Sequence, residues 1–204
     1  MQQPENIIFD LGAVLIDWNP RHLYRKIFSS ETAMENFLDT ICTSDWNEVQ
    51  DEGRTLAEGT SILVERFPEQ EANIRAYYGR WTEMLAGEIE GTKDILKHLK
   101  DSGQYKLYAL TNWSDETFPL AWEIYPSLHW FDGIVVSGRE KMRKPSPAFF
   151  QLLLDRYNIN ASTSLFIDDN FRNIKAAREF GIDSIHFEHP EQLKTELEKR
   201  DIKI

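Results

Sequence analysis

The segment Ile7-Ile8-Phe9-Asp10-Leu11-Gly12 is a short apolar run followed by a carboxylate and a glycine. Such a run predicts a short buried strand. Four similar runs follow, at residues 106–111, 133–137, 164–167 and 184–187. Helical patterns lie between them, at residues 92–101, 115–125, 147–157 and 171–180. Strands that alternate with helices predict an α/β fold with a parallel sheet.

The composition is that of an acidic globular protein. The 204 residues include 34 Asp and Glu against 23 Lys and Arg, for a formal charge of −11, and 41 % are hydrophobic. This charge disfavours nucleic acid and anionic membranes as partners. A single cysteine, Cys42, excludes an intrachain disulfide and a multi-cysteine zinc site. With no signal-peptide pattern and no apolar segment of membrane-spanning length, we expect a soluble cytoplasmic protein.

Residues 17–90 interrupt the alternation of strands and helices. Helical patterns succeed one another there, at 21–28, 31–41, 56–67 and 69–85, with no convincing strand. We therefore predict an all-helical insertion at 17–90 in an α/β core formed by residues 1–16 and 91–204. Because the insertion leaves the sheet where the first strand ends, we expect it to cover the carboxyl edge, where such sheets bind ligands.

Two of the predicted strands end in polar groups that suit a phosphate-handling site. Asp10 follows the first strand, and Gly12 lets the backbone turn after it. Thr111 ends the second strand just before a predicted helix start, where a hydroxyl and free N–H groups suit a phosphate. Each also has an ordinary structural interpretation, as a turn residue or a helix cap.

Charged groups follow two later strands. Lys144 precedes Pro145 and a helix start, and can act as a fixed positive charge or as an ordinary surface lysine. Asp168 and Asp169 are adjacent carboxylates that repel each other unless a cation lies beside them. Mg²⁺ prefers such oxygen ligands. Because the carboxyl ends of parallel strands meet at one edge of a sheet, we expect these groups to converge.

Together these residues resemble the motifs of the haloacid dehalogenase superfamily, most of whose members are Mg²⁺-dependent phosphatases with an aspartate nucleophile. The resemblance covers essentially the whole chain. It identifies Asp10 with the family's nucleophile, Thr111 with its hydroxyl residue, Lys144 with its lysine, and Asp168 and Asp169 with its fourth-motif acids.

The resemblance also implies a Rossmann-like doubly wound core with a helical cap. The runs 17–20 and 51–53, with Lys144-Pro145 and Asp168-Asp169, look most like the subgroup of α-D-glucose-1-phosphate phosphatase and the phosphatase domain of soluble epoxide hydrolases.

The chemistry implied by this resemblance is hydrolysis of a small phosphorylated metabolite, such as a sugar phosphate, through an aspartyl phosphate on Asp10. Mg²⁺ is the implied cofactor. The implied metal ligands are Asp10, the carbonyl of Gly12, Asp169 and, directly or as a support, Asp168. The implied phosphate-binding residues are Thr111, Asn112 and Lys144.

Gly12 departs from the family pattern. The family's phosphatases usually have a second aspartate there, which protonates the leaving group and activates water. Three explanations are open: another carboxyl such as Asp17 or Asp168 takes this role, substrate and water take it, or the reaction is not phosphate-ester hydrolysis. In the second case, we expect substrates with good leaving groups, such as sugar 1-phosphates or acyl phosphates. In the third, the chain is a metal-independent 2-haloacid dehalogenase.

A catalytically weak phosphate-binding regulatory protein is a further alternative. The pair Asp168-Asp169 favours the phosphatase over the dehalogenase, because without a cation the two charges are uncompensated. Lys144 and the same pair count against the regulatory protein, because a protein that has lost catalysis no longer requires a repulsive cluster of carboxylates. Asn173, where the fourth motif often has another acid, is a second and milder departure.

Side chains of the insertion are candidates for substrate specificity, because aromatic faces and acidic groups commonly hold sugars. They are Trp18, Trp46, Glu48, Asp51, Arg54 and Trp81. Packing is the competing interpretation for most of the tryptophans. Trp113 can line the pocket or pack under the insertion.

Overall fold

The structure, a computed structural model, describes residues 3–204. Residues 1 and 2, which the predicted core includes, lie outside that range. A five-stranded parallel sheet forms the centre of the molecule, in the order β5-β4-β1-β6-β7. Its strands are β1 (Asn6–Phe9), β4 (Lys106–Thr111), β5 (Gly133–Val136), β6 (Ser164–Asp168) and β7 (Asp183–His186). The five strands predicted for the core are thus confirmed, as is the Rossmann-like α/β fold.

Alternate residues of the central strand β1 face opposite sides of the sheet, and helices cover both. Eleven helices occur in the described part of the chain: α1 (Pro20–Tyr24), α2 (Glu31–Thr40), α3 (Ser44–Asp51), α4 (Leu56–Arg66), α5 (Glu71–Gly79), α6 (Glu90–Ser102), α7 (Phe118–Ile124), α8 (Ser137–Glu140), α9 (Pro147–Tyr157), α10 (Phe171–Phe180) and α11 (Pro190–Glu198). Ile8 packs in one buried cluster with side chains of α9 and α10, whereas Ile7 and Phe9 belong to a second cluster that includes side chains of α6 and α11. Because side chains alternate along a strand, one short run supplies both cores.

Helices α1–α5 form the insertion, but the expectation that 17–90 contains no strand is wrong. Strands β2 (Ile16–Trp18) and β3 (Leu85–Glu88) pair antiparallel where the chain enters and leaves the insertion. The pairing joins segments about 70 residues apart, and Gly87, at φ +130°, gives no strand signal in sequence. The stem of the insertion is therefore a two-stranded ribbon.

The helices of the insertion differ in detail from their predicted patterns. The pattern at 69–85 predicts one helix, but α5 ends at Gly79 and a 3-10 turn, Trp81–Met84, precedes β3. Helix α3 has no counterpart among the predicted helices, although Thr43 caps it by accepting a hydrogen bond from the Trp46 N–H. With few apolar residues in eight, α3 shows too little periodicity to be recognised.

A search of residues 3–204 for membrane-spanning helices finds none of sufficient length and apolar character.

Candidate active site

Three neighbouring strands end in the polar residues singled out in the sequence. Asp10 follows β1, Thr111 ends β4, and Asp168 ends β6 with Asp169 directly after it. Because β4, β1 and β6 are adjacent and parallel, their carboxyl ends meet at one edge of the sheet. The fold thus brings these four side chains to one place.

Lys144 lies in the segment between α8 and α9, and its side chain is completely buried. Its Nζ lies 2.6 Å from Asp168 Oδ2 and 3.0 Å from Asp10 Oδ1. Burial lowers the pKa of Lys144, but the charges of Asp10 and Asp168 outweigh that effect and its pKa is raised. The ammonium group therefore stays charged between two carboxylates.

The side chain of Asn112 holds Lys144 in place. Its Nδ2 donates to the Lys144 carbonyl oxygen at 3.0 Å, and its Oδ1 accepts from the Lys144 N–H at 2.9 Å. Both polar atoms of this amide are thus engaged with the lysine backbone. The side chain of Asn112 is therefore committed to Lys144, and the phosphate-binding role of Asn112 stays a prediction.

Asp168 is surrounded by donors and has little capacity for an additional ligand. Besides Lys144, its carboxylate accepts from the Asn170 N–H at 2.7 Å and from Asn173 Nδ2 at 3.0 and 3.2 Å. The residue is fully buried. Of the two roles predicted for Asp168, direct metal ligand or support of the ligands, this geometry favours support. Asn173 helps to orient Asp168 through its side-chain hydrogen bonds.

The remaining carboxylate oxygens fit a hard divalent cation. Asp10, Asp168 and Asp169 each offer an oxygen, and the three atoms lie within 4.8 Å of one another. Asp10 Oδ1 accepts from the Leu11 N–H at 2.7 Å and from Lys144, which leaves Oδ2 without a hydrogen bond among residues 3–204. Clustered carboxylate oxygens are the ligands that Mg²⁺ prefers.

The raised pKa values of Asp10 and Asp169 indicate an excess of negative charge in this cluster. Burial raises the pKa of Asp10 to about 8; Lys144 acts in the opposite direction, while Asp168 and Asp169 add to the rise. Burial and Asp168 likewise raise the pKa of Asp169. Lys144 alone is therefore too little positive charge to hold the pKa of Asp10 and Asp169 at their ordinary values, and a bound cation would supply the difference.

Thr111 offers a donor for an anion. Its hydroxyl is buried and has no hydrogen-bond partner within residues 3–204. A buried polar group without a partner costs free energy. The hydroxyl of Thr111 is thus available for a ligand oxygen.

The expected helix N-terminus after Thr111 is wrong. Helix α7 begins at Phe118, with Pro119 in its first turn, rather than at 115. One of the backbone N–H groups after Thr111 is also not free, because the Trp113 N–H donates to Ser137 Oγ at 2.8 Å. Residues 115–117 form a turn because Pro119 suits the first turn of a helix and not its interior.

A cavity extends from the carboxyl edge of the sheet to the insertion. Its core side is formed by Gly12, Asn112, Trp113, Ser114 and Thr117. Its other side belongs to the insertion and its stem, and consists of Trp18, Asn47, Asp51, Tyr78 and Trp81. A second, wider cavity joins Asp10, Gly12 and Asp169 to residues of α1 and α2. The insertion therefore caps the site, as predicted.

The candidate specificity residues separate into two groups. Trp18, Asp51 and Trp81 line the first cavity, and Trp113 both lines it and packs edge-to-face on Trp81 at 5.7 Å. The others serve the structure of the insertion: Trp46 donates to the Gly59 carbonyl, Arg54 contacts Gln50, and Glu48 pairs with the core.

Contacts between α3 and the core were not anticipated from the sequence. Glu48 forms ion pairs with Arg143 at 2.8 Å and with Arg172 at 2.7 Å. The hydroxyl of Ser137 donates to the Asp51 carbonyl oxygen. We call Glu48, Arg143, Arg172 and Ser137 the α3 clamp. Ser137 and Arg172 are 86 and 124 residues away from their partners in α3. No local sequence pattern therefore identifies these contacts.

Comparison with known proteins agrees with this geometry. Residues 4–181 match the family model of haloacid dehalogenase-like hydrolases. A sesquiterpene phosphatase from Aspergillus oryzae is 29 % identical over 96 % of this chain and 94 % of its own. A D-ribitol-5-phosphate phosphatase from Bacteroides thetaiotaomicron is 21 % identical over 95 % of this chain and 96 % of its own.

A solved structure shows a similar fold. An enzyme of the same family from Bacteroides thetaiotaomicron, in complex with magnesium and inorganic phosphate, superposes with a TM-score of 0.66 at 25 % identity. The match covers 91 % of this chain and 95 % of that one.

Proposed function

This chain belongs to the haloacid dehalogenase-like hydrolase family, and on that premise we propose that it is a Mg²⁺-dependent phosphatase that hydrolyses a small phosphorylated metabolite through an aspartyl phosphate on Asp10. The observation that supports this most is the site at the end of β1. There Asp10 lies beside Asp168, Asp169 and the buried Lys144, with the free hydroxyl of Thr111 at the adjacent strand.

Asp10 is the nucleophile in this proposal. Lys144 and the Leu11 N–H both contact its Oδ1 and so orient the carboxylate, one oxygen of which attacks phosphorus. Attack forms the Asp10–phosphorus bond as the bond from phosphorus to the leaving oxygen breaks. Water then displaces Asp10 and releases inorganic phosphate. A covalent nucleophile thus divides one difficult displacement at phosphorus into two easier ones.

Lys144 and Thr111 stabilise the charge of the phosphoryl group. Lys144 keeps a full positive charge against the carboxylate that attacks. The hydroxyl of Thr111 gains the hydrogen bond that it lacks when a phosphoryl oxygen binds. Fixed donors and charges of this kind provide much of the catalysis in phosphoryl transfer.

Asp10, Asp169 and the Gly12 carbonyl are the groups proposed to hold Mg²⁺, with Asp168 supporting them through Lys144. When bound, Mg²⁺ offsets the negative charge shared by the carboxylates and the phosphoryl oxygens. The clustering of oxygens from Asp10, Asp168 and Asp169 within 4.8 Å of one another supports this assignment.

The metal-independent dehalogenase is less compatible with the same geometry. Halide needs no proton on leaving, so Gly12 would be no defect for that reaction. However, Asp10 would then have to be ionised next to two further carboxylates, with Lys144 as the cation that pairs with it. The cluster therefore favours the metal-dependent reaction.

A substrate screen tests the proposal. Wild type and Asp10→Asn are assayed on sugar phosphates, nucleotides, acyl phosphates and an aryl phosphate, with Mg²⁺ or with EDTA, and on a 2-haloacid. We expect Mg²⁺-dependent release of phosphate by the wild type only. Halide release in EDTA would establish the dehalogenase instead, and phosphatase activity that persists in Asp10→Asn would overturn the assignment of the nucleophile.

A further inference from the structure

Gly12 leaves a gap in the proposed mechanism, since it supplies no acid or base near the leaving group. A Cβ built on Gly12 would meet no heavy atom within 4 Å, so the space is open. Gly12 lines both cavities of the site. A substitute for the missing group should therefore lie on the wall of one of these cavities.

The two carboxyls considered from the sequence are poorly placed for this task. Asp168 is surrounded by Lys144, Asn170 and Asn173. Asp17 is hydrogen-bonded at 2.9 Å to His22 Nε2 and is absent from the walls of both cavities that Gly12 lines.

A third carboxyl, Asp39 of α2, lines the wider cavity. Asp39 is exposed, and its negative charge helps to raise the pKa of the nearby Arg21. Asp39 is therefore a solvated carboxylate at the mouth of the cavity.

Asp51 is placed differently. It ends α3, and it lines the cavity that Gly12, Asn112 and Trp113 close from the core side. Its Oδ2 accepts from Asn47 Nδ2 at 2.8 Å. Within residues 3–204 it has no ion-pair partner within 4.0 Å, although Glu48 and Glu52 in the same segment both pair with Arg143. Asp51 is thus an acidic side chain on the cavity wall that has no ion-pair partner among residues 3–204.

The fold also holds Asp51 in position. The hydroxyl of Ser137 in the core donates to its carbonyl oxygen, and the α3 clamp fixes the preceding turn. The Lys141 Nζ donates to the Gly53 carbonyl at 3.1 Å, two residues further on. The end of α3 is therefore docked on the core beside the site.

The protonation of Asp51 fits a proton donor near neutral pH. Burial raises its pKa to about 7; Glu48 adds to the rise, whereas the Ser114 N–H and Arg143 lower it. Tyr78, on α5, is the other titratable side chain on the cavity wall. An acid–base group works best when both of its forms are available at the working pH.

We propose that Asp51, brought to the site by the cap, is the general acid and base that replaces the side chain missing at Gly12. This inference rests on the proposed phosphatase function. As the phosphorus–oxygen bond to the leaving group breaks, protonated Asp51 gives its proton to the leaving oxygen, so that a neutral alcohol departs. The resulting Asp51 carboxylate takes a proton from the water that attacks the aspartyl phosphate, which restores the acid and frees Asp10.

The test compares Asp51→Asn with the wild type on two classes of phosphate ester at saturating Mg²⁺. An alkyl phosphate needs a protonated leaving group, whereas 4-nitrophenyl phosphate does not. We expect Asp51→Asn to lose about 10² to 10⁴-fold in kcat on the alkyl ester. With the nitrophenyl ester we expect a burst of about one nitrophenolate per enzyme and then slow turnover, because the first step needs no acid and the second still needs a base.

Asp45→Asn is the matched control, because Asp45 is an exposed aspartate in the same helix. It should behave as wild type on both esters. Thermal unfolding of each variant shows whether it is folded.

A rescue variant separates a chemical role from a structural one. Because the space at Gly12 is open, Gly12→Asp should restore alkyl-phosphate turnover at least about tenfold in the Asp51→Asn background, since an acid there contributes 10² to 10⁴-fold. Wild-type turnover of the alkyl ester by Asp51→Asn overturns the inference. So does a loss that is equal for both esters, shows no burst and is not rescued. Failure of the wild type on the nitrophenyl ester instead overturns the proposed function itself.

Discussion

At the level of single residues, Thr111 has the clearest signature of a ligand contact. It is buried at the end of β4 and its hydroxyl has no partner within the described chain. Thr92, in the first turn of α6, is buried with an unpaired hydroxyl in the same way but lines neither cavity of the site. Thr92 is therefore a suitable control for a substitution of Thr111.

Thr111→Val should leave the free energy of unfolding unchanged or slightly higher, because the hydroxyl that it removes has no partner in the fold. It should lower kcat/KM by about 10 to 100-fold, since hydrogen bonds to charged groups contribute about 1.5–3 kcal/mol. Thr92→Val should match it in urea unfolding and keep full activity. A large loss of stability in Thr111→Val alone would mean that its hydroxyl serves the fold.

The raised pKa of Asp51 predicts that the free energy of unfolding depends on pH. Its folded pKa of about 7 lies above the ordinary value of 3.8 for an aspartate, so between these pH values the folded state keeps a proton that the unfolded state has lost. The contribution of Asp51 to the unfolding free energy therefore falls as pH rises from about 4 to 7 and is constant above that. Glu48, Arg143 and Tyr78 are the charged or titratable groups that face it.

Asp51→Asn should thus be more stable than wild type, and by a wider margin at pH 8 than at pH 5. The difference between the two margins is on the order of 2 kcal/mol, at about 1.4 kcal/mol per pKa unit. Urea unfolding in EDTA at both pH values measures it, with Asp45→Asn as the control. A margin that does not change with pH would show that Asp51 is ionised in the folded protein at pH 5.

At the level of elements, helix α3 links the cap to the core through charged side chains. Glu48, about one-fifth exposed, bridges Arg143 ahead of α9 and Arg172 in the first turn of α10. Exposed ion pairs contribute little, but a partly buried carboxylate shared by two arginines forms a network. The same helix ends in Asp51, so the clamp sets the position of the cavity wall.

Glu48→Gln should weaken this link and raise KM a few-fold at low salt, because the capped form that binds substrate is less populated. NaCl should raise KM of the wild type and have less effect on the variant, since salt screens the pairs that the variant has already lost. Steady-state kinetics from low to high NaCl measures both effects. Glu71→Gln, which breaks an exposed pair with Arg75 inside the cap, should change neither; equal effects of the two variants would contradict a specific role of the clamp.

At the level of the whole molecule, a net charge of −11 coexists with a site that we propose binds an anion. The charge disfavours binding of an extended polyanion, but a small phosphate needs compensation at one place only. Lys144 supplies part of it, and the carboxylates around Lys144 are suited to recruit a cation for the rest. Acidity of the site and anion binding are therefore compatible.

Saturating Mg²⁺ should raise the Tm of the wild type, because an ion that binds only the folded state stabilises it, by about 2.7 kcal/mol at 100 times Kd. For a chain of this size that corresponds to roughly 5–10 °C. Asp169→Asn should lose most of the increase while its Tm without metal is no lower than that of the wild type, since the variant removes a carboxylate whose charge Asp168 opposes. Differential scanning calorimetry at constant ionic strength measures this, with Glu179→Gln at the far end of α10 as control. An equal Mg²⁺ response in Asp169→Asn would contradict the assigned ligand.

Local sequence patterns were sufficient for the strands and most helices of the core, and for the residues at the strand ends. A parallel α/β sheet gathers the carboxyl ends of its strands at one edge, so the order of apolar runs already implies that Asp10, Thr111 and Asp168 converge. The helical nature of the insertion follows from similar periodicity, because α2 and α4 present regular apolar positions. Both conclusions depend on contacts between neighbours in sequence or on a general rule of topology.

The division of roles within the site depends on contacts that no local pattern encodes. Only the packed structure shows that Asp168 is occupied by Lys144 and Asn173, that Asp17 contacts His22 away from the cavities, and that Asp51 lies on the cavity wall. The β2–β3 stem and the α3 clamp likewise join residues about 70 to 120 positions apart. Their side chains become partners only when the cap docks on the core, because burial and the loss of water then determine which charges pair and which carboxyl keeps its proton.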